Sequence, residues 1–276
     1  MIPDSHTEVY AIIGQPVGHS LSPAMHNAAF RALGLNKLYV ALAVRDLAPA
    51  VAGLRALGFA GVSVTVPHKQ AILPLCDQLE PVAARIGAVN TLCLEAGRIL
   101  GANTDWLGAN RALAEVTALA GKRFCLLGSG GAARAVGFGL RAAGAQVVLA
   151  SRSRERGEDL ARQLEAEWCP LGQVGSLAAD GLVNATSVGM APRQEESPVP
   201  AALLDRFPVV MDIVYAPRQT RLLAEAGRAG CRTVDGLGML LYQGVAQFEL
   251  WTGLAAPVAV MRQALEDGLA ARAAGV

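Results

Sequence analysis

The chain has no surplus of charge: 24 Lys and Arg stand against 23 Asp and Glu over 276 residues, a formal net charge of +1. Neutralising nucleic-acid phosphates needs a basic stripe, and this balance argues against such a partner. Long apolar runs are also missing. Uncharged stretches such as 9–30 are broken by Gly, Pro, Gln, His and Asn well before the roughly 20 apolar residues of a membrane span accumulate. No transmembrane helix and no membrane partner are expected. The opening MIPDSHTEVY has no Lys, no Arg and no small-residue cleavage site, so it does not read as a secretion signal, and a cytoplasmic location is expected. Cysteine is sparse: Cys76, Cys93, Cys125, Cys169 and Cys231 are odd in number and form no Cys-x-x-Cys pair. Buried reduced thiols are expected rather than disulfides or a zinc knuckle. No His-x-x-x-His or Glu-anchored spacing joins His19, His26 and His68, so no metal is expected and these histidines are read as satisfied structural residues. Lysine is the scarcest charge, 3 residues against 21 Arg, which makes each Lys worth inspecting.

What is present is apolar: hydrophobic residues make up 53% and charged residues 17%. That composition fits one or two buried cores, and the length lies where single cores stop growing, so two domains are expected. Periodicity predicts strands at 9–14, 38–44 and 62–66, with helices from Pro23 to Leu33 and from Asp46 to Leu57. This β-α-β rhythm implies an α/β fold with mostly parallel sheet and functional loops beyond the carboxyl ends of the strands. A second unit starts near Lys122: strand RFCLLG, a glycine turn, a helix to about Ala143, strand 146–150 and a helix from Arg154 to about Trp168. Further strands are expected at 182–186, 209–213 and 231–235, a helix at Thr220 to Gly227, and only helix from Gly238 onward. The loop 192–200, PRQEESPVP, reads as polar surface.

Gly128, Ser129, Gly130, Gly131 and Ala132 lie between a predicted strand and a predicted helix. Glycines there permit a tight turn and let backbone N–H groups approach a diphosphate at a helix N-terminus, while Ala133 replaces the third glycine of the dinucleotide fingerprint. About 20 residues further on, where an acid grips the ribose of NAD, the chain reads Ser151-Arg152-Ser153. A guanidinium fork with flanking hydroxyls suits a 2′-phosphate, so NADP is favoured over NAD.

In the first half, Ser20 and Ser22 precede and open a helix, with Ser22 read as N-cap and Pro23 as N1. Such a corner suits a carboxylate, and it is equally an ordinary helix cap. Strand VSVTV delivers Thr65 and then Lys69 near its carboxyl end, where open α/β sheets place ligands. Asn90-Thr91 and Asn103-Thr104-Asp105 add two Asn-Thr pairs, the first readable as a turn and the second as a cap for a helix from Trp106. Together these groups suit a small polyhydroxylated acid.

The ordered segments GQPVGHSLSPAMHN, VTVPHK, GAVNT, GANTD, GSGGAARA, NATSVGM, DIVYAP and GLGMLLYQG resemble the shikimate dehydrogenase family over nearly the whole chain. The resemblance implies an NADP-dependent oxidoreductase interconverting 3-dehydroshikimate and shikimate on the way to chorismate. It implies an N-terminal substrate-binding domain, 1–104 plus 240–276, and a Rossmann-type domain at 105–239. By that resemblance Lys69 and Asp105 match the catalytic pair, and Ser20, Ser22, Thr65, Asn90, Tyr215 and Gln243 match substrate-binding positions. Gly128 to Ala132, Ser151, Arg152, Ser153, Thr186, Met190 and Gly236 match the cofactor side, and the partner is a small molecule on a monomer or homodimer.

The chain departs from the family pattern at three places. Ser63 stands where many members have Asn, Trp106 where Gly is common, and Tyr242 and Gly244 flank Gln243 where small residues are usual. The tail LLYQGVAQFELWTG is similar to the quinate/shikimate branch, so quinate is a second candidate substrate. A non-catalytic NADP-binding regulator is the rival on the same fold, and the presence of both Lys69 and Asp105 speaks against it.

Overall fold

The computed structural model describes residues 2–273. It divides into two compact units, Met1–Thr104 with Gln243–Val276, and Asp105–Tyr242.

In the first unit, β1 (Glu8–Gly14) alternates so that Ala11 and Ile13 enter one core while Tyr10 faces Phe30 and Trp251. Burial on both faces makes it a central strand. It pairs in parallel with β2 (Lys37–Ala43) and β3 (Gly61–Val64), helices α1 (Ser22–Ala32) and α2 (Leu47–Ala56) forming the crossovers. β3 stops at Val64, short of the expected 66. The chain turns at Thr65, whose carbonyl accepts from His68 N at 2.9 Å, and Pro67 has no N–H with which to extend a ladder.

Beyond β3 the sheet is mixed rather than parallel, with order β2-β1-β3-β5-β6-β4. β4 (Gln78–Leu79) and the short helix α3 (Pro81–Ile86) lead to β5 (Thr91–Glu95) and β6 (Arg98–Ala102), an antiparallel hairpin where sequence reading placed a turn. Its loop is Ala96-Gly97, both at positive φ (49° and 75°), the geometry of a two-residue hairpin turn. Alanine there hides the Asn-Gly or Asp-Gly signal by which such turns are recognised.

The second unit opens with α4 (Asp105–Ala114), which begins at Asp105 rather than Trp106. Its sheet is parallel throughout, built from β7 (Arg123–Leu127), β8 (Gln146–Ser151), β9 (Glu167–Pro170), β10 (Gly181–Asn184), β11 (Val209–Asp212) and β12 (Arg232–Val234). The order β9-β8-β7-β10-β11-β12 is that of a Rossmann sheet, and the order reverses between β7 and β10. Helices α5 (Gly131–Ala142), α6 (Arg154–Gln163) and α7 (Arg221–Arg228) connect it. α6 stops short of the expected Trp168. Glu165 takes φ 50°, and Trp168 lies in β9, its indole N–H donating to Ser151 Oγ at 2.9 Å. α8 (Gly236–Thr252), starting two residues earlier than expected, and α9 (Val258–Ala273) complete the chain. Among the described residues no helix is long and apolar enough to cross a membrane.

Candidate functional site

In the first unit the polar candidates stand at the carboxyl ends of β1 and β3 and at the start of α1. Ser20 Oγ accepts from Ser22 N at 3.2 Å, and the N-cap is Leu21, so Ser22 is the first helical residue and not the cap. Thr65 crosses Gly14 so closely that a Cβ on that glycine would lie 2.4 Å from the Thr65 methyl, and Thr65 N donates to Ile13 O at 2.9 Å. Lys69 follows one turn later. Its carbonyl accepts from Val89 N at 2.7 Å, which sets the Lys69 backbone beside Asn90.

Asn90 is the buried node of this unit. Its Oδ1 accepts from Thr104 N (2.8 Å) and Thr91 Oγ1 (2.7 Å), and its Nδ2 donates to Thr104 Oγ1 (2.9 Å) and Gln243 Oε1 (3.4 Å). Around it run further buried polar groups: Tyr39 OH donates to Ser63 Oγ (2.6 Å), Ser63 Oγ to Gln247 Oε1 (2.9 Å), and Gln247 Nε2 to Asn90 O (3.1 Å) and Thr91 Oγ1 (2.9 Å). Burial pushes the Tyr39 phenol up, with the Ser63 and Ser22 hydroxyls pulling the other way.

His26 departs from the expectation of satisfied histidines. It is fully buried, stacked on Tyr39 at 4.6 Å and 11°, and neither ring nitrogen has a hydrogen-bond partner among the described residues. Burial drives its pKa down to about 3, an effect that the nearby Gln247 only partly offsets. His68, in contrast, is paired through Nε2 with Val44 O at 2.9 Å.

In the second unit the glycine turn follows β7 where the strand order reverses, the position at which such sheets bind ligands. Gly128 sits at φ +115°, and a Cβ there would come within 3.1 Å of Ala185 O and of the Thr186 methyl. Gly130 caps α5 with open space around it, so the backbone at the helix N-terminus is accessible to a diphosphate, with Ser129, Gly131 and Ala132 completing the turn. At the end of β8, Ser151 is turned inward, its hydroxyl donating to Ser153 O (2.8 Å) and accepting from Trp168. Its hydroxyl proton is thereby committed to Ser153 O rather than offered outward, where the sequence reading expected a donor. Ser153 caps α6 by accepting from Arg156 N, and Arg152, Arg154 and Arg156 are all exposed around that helix start. Arg154 and Arg156 oppose the helix dipole in the first turn while Glu155 between them favours it, which leaves the helix start net positive and suited to an anion.

The loop after β10 is shaped by side chains. Thr186 Oγ1 donates to Asn184 Oδ1 (2.7 Å) and accepts from Val188 N (3.1 Å), and Met190 lies one turn on. Gly236, expected on the cofactor side, has a packing role: a Cβ there would lie 2.3 Å from Ile213 O, so glycine lets α8 start against the chain that leads into Tyr215. Asp105 is buried as the first residue of α4.

Residues 12–92 match the shikimate dehydrogenase substrate binding domain, and 236–266 match the shikimate 5'-dehydrogenase C-terminal domain. The chain is 51% identical to the shikimate dehydrogenase (NADP(+)) of Moorella thermoacetica over 98% of this chain and 96% of that one. The chain belongs to the shikimate dehydrogenase family. Solved relatives agree. A shikimate dehydrogenase in complex with NADP+ gives a TM-score of 0.91 at 39% identity, covering 97% of this chain and 98% of the other. Shikimate 5-dehydrogenase of Thermus thermophilus, in complex with NADP(H) and shikimate, gives 0.87 at 41%, covering 95% and 100%.

Within this member of the shikimate dehydrogenase family, sequence reading missed two sets of supporting residues. Gln247 has a legible signal, since Gln243, Gln247 and Trp251 recur every four residues and so share one face of α8. Trp251 Nε1 donates to Leu92 O at 3.0 Å on that face. Asp212, an acid closing an otherwise apolar strand, is the second. Burial pushes its carboxyl up to about 6 although Thr220, Val214 N and Asn184 donate to it.

Proposed function

We propose that the chain catalyses the NADP-dependent, reversible reduction of 3-dehydroshikimate to shikimate, in the route to chorismate and the aromatic amino acids. The observation that carries this reading is the Asn90 node. It collects amide and hydroxyl groups for a small polyhydroxylated ligand and, through Val89, sets the Lys69 backbone beside them. Ser20 and Ser22 at the start of α1 hold the substrate carboxylate, and Thr65, Asn90, Gln243 and Tyr215 hold its hydroxyls.

The glycine turn fits a dinucleotide diphosphate, because Gly128 adopts a backbone closed to other residues and Gly130 leaves the helix start open. Arg152 supplies the fork for the 2′-phosphate, with Arg154 and Arg156 nearby at the α6 start, and the segment Ser151-Arg152-Ser153 at the end of β8 carries no acid to favour NAD. NADPH, when bound, supplies the hydride that reaches the carbonyl carbon. Lys69 donates the proton that the carbonyl oxygen gains and takes it back from the alcohol in the reverse direction. Asp105 is the partner of Lys69 in that proton transfer. The protein works in the cytoplasm as a monomer or homodimer.

The test is initial-rate oxidation of shikimate and of quinate, each with NADP+ and with NAD+. Strong preference for shikimate with NADP+ is expected. Comparable quinate turnover would move the protein to the dual-specificity branch, and no turnover with any pair would overturn the catalytic reading.

A further inference from the structure

Every proton in the buried chain from Tyr39 to Asn90 has a determined direction, because two backbone groups anchor it. Thr104 N can only donate, so the Asn90 atom facing it at 2.8 Å is the carbonyl oxygen. Asn90 O can only accept, so the Gln247 atom facing it at 3.1 Å is the amide nitrogen. The Gln247 oxygen then takes the Ser63 proton, which leaves Ser63 Oγ to accept from Tyr39. Thr91 Oγ1 accepts from Gln247 Nε2 and so gives its own proton to Asn90 Oδ1 at 2.7 Å.

Gln247 is at the centre of this arrangement. It is 1% exposed and reaches from α8 to the side chains of Ser63 and Thr91, which are cross-strand partners in the β3–β5 ladder. Its amide grips the Asn90 backbone directly and the Asn90 side chain through Thr91. The Asn90 oxygen is thereby held inward against donors from two sides, and the amide nitrogen is the end directed toward Gln243.

We propose that Gln247 is a positioning residue for the substrate: acting through Thr91, it reinforces the Thr104 N anchor of the Asn90 carboxamide, so that the Asn90 N–H now on the long 3.4 Å contact to Gln243 is the one offered to the ligand. This rests on the reading of Asn90 as a substrate contact. With Gln247 removed, Thr91 is no longer directed, the inward hold on the Asn90 oxygen falls to Thr104 N alone, the carboxamide is held less tightly, and binding weakens equally in the ground and transition states. Such a loss falls on KM and leaves kcat unchanged.

The experiment measures kcat, KM for shikimate and KM for NADP+ in the full chain for Gln247→Leu, Thr91→Val, Asn90→Ala and the double variant Asn90→Ala/Gln247→Leu. Gln247→Leu and Thr91→Val are each expected to raise KM for shikimate by about tenfold, with kcat within about twofold and KM for NADP+ unchanged. The double variant is expected to bind shikimate no more weakly than Asn90→Ala alone, since Gln247 acts through that residue. Thr91→Val keeps the test open should Gln247→Leu fail to fold. The proposal is overturned if the Gln247 and Asn90 effects add, or if Gln247→Leu and Thr91→Val leave KM for shikimate unchanged while Asn90→Ala raises it, and in either case the reading of the site stands. An unchanged KM in Asn90→Ala overturns the assignment of Asn90 to the substrate and this proposal with it.

Discussion

Asn184 Nδ2 donates to Asp212 Oδ1 at 2.9 Å, joining two residues that are register partners at the carboxyl ends of β10 and β11. Each partner also organises the loop that follows it. Asn184 Oδ1 accepts from Thr186 N and Oγ1, while Asp212 accepts from Val214 N (3.0 Å) and Thr220 Oγ1 (2.7 Å). One buried pair therefore shapes both the Thr186–Met190 loop and the approach to Tyr215.

Asp212→Ala leaves those donors without an acceptor in a buried site, and each unpaired group costs about 1–3 kcal/mol. A marked fall in Tm and a raised KM for NADP+ are expected. Asp212→Asn keeps an oxygen for Asn184 and Val214 N and should fall between Asp212→Ala and wild type. Thermal melts with NADP+ titration check both, and an Asp212→Ala protein as stable as wild type would show that the pair is dispensable.

His26 makes the first unit sensitive to acid. Its folded pKa, about 3, lies below its ordinary 6.5, so the fold favours the neutral ring. The resulting stability is complete above pH 6.5 and is lost as the pH falls from there toward about 3, because the unfolded chain binds the proton first. His26→Phe keeps the stacking on Tyr39 and removes the titration. Its Tm should fall less steeply than that of wild type between pH 6.5 and pH 4, and parallel curves would exclude His26 as the cause.

Asp212 has the opposite sign. Its carboxyl is raised from 3.8 to about 6, so its contribution is complete below pH 3.8 and declines as the pH rises through 6. Asp212→Asn should flatten that limb of the stability profile in the second unit, read by hydrogen exchange of its strand amides between pH 4 and pH 7.

Lys69→Ala should lower kcat by about 10²–10⁴-fold while KM for shikimate changes little, as expected of a group acting on the proton in the transition state. Steady-state kinetics in the oxidation direction decide this, and an unchanged kcat would remove Lys69 from the chemistry.

Arg152→Ala should raise KM for NADP+ by about tenfold or more and leave KM for NAD+ where it was. Equal effects on both cofactors would mean that Arg152 does not read the phosphate.

Local pattern was enough for most elements. Short apolar runs alternating with amphipathic stretches marked β1, β2, β8 and β11, and the strand–glycine–helix order around Gly128 and the arginine at 152 pointed to a dinucleotide site, because backbone freedom and charge at a helix start are local properties. The polar candidates from Ser20 to Asp105 were also legible, since apolar strands do not end in such groups without reason.

Tertiary structure decided the rest. The β5–β6 hairpin turns on Ala96 and Gly97 adopting positive φ, which alanine does not advertise. Ser151 faces inward because Trp168, 17 residues along the chain, reaches it, and the His26 ring nitrogens have no hydrogen-bond partner among the described residues because Tyr39 and Trp251 from other elements pack against the ring. Asn90 keeps its oxygen inward because Thr104 N and Thr91 Oγ1 both donate to it, and Thr91 is in turn directed by Gln247, 157 residues from Asn90. The sequence by itself determined which chemical groups are available and the backbone turns that carry them. Which way each group points was decided only by packing, because a side chain's orientation depends on hydrogen-bond partners that sequence distance does not reveal.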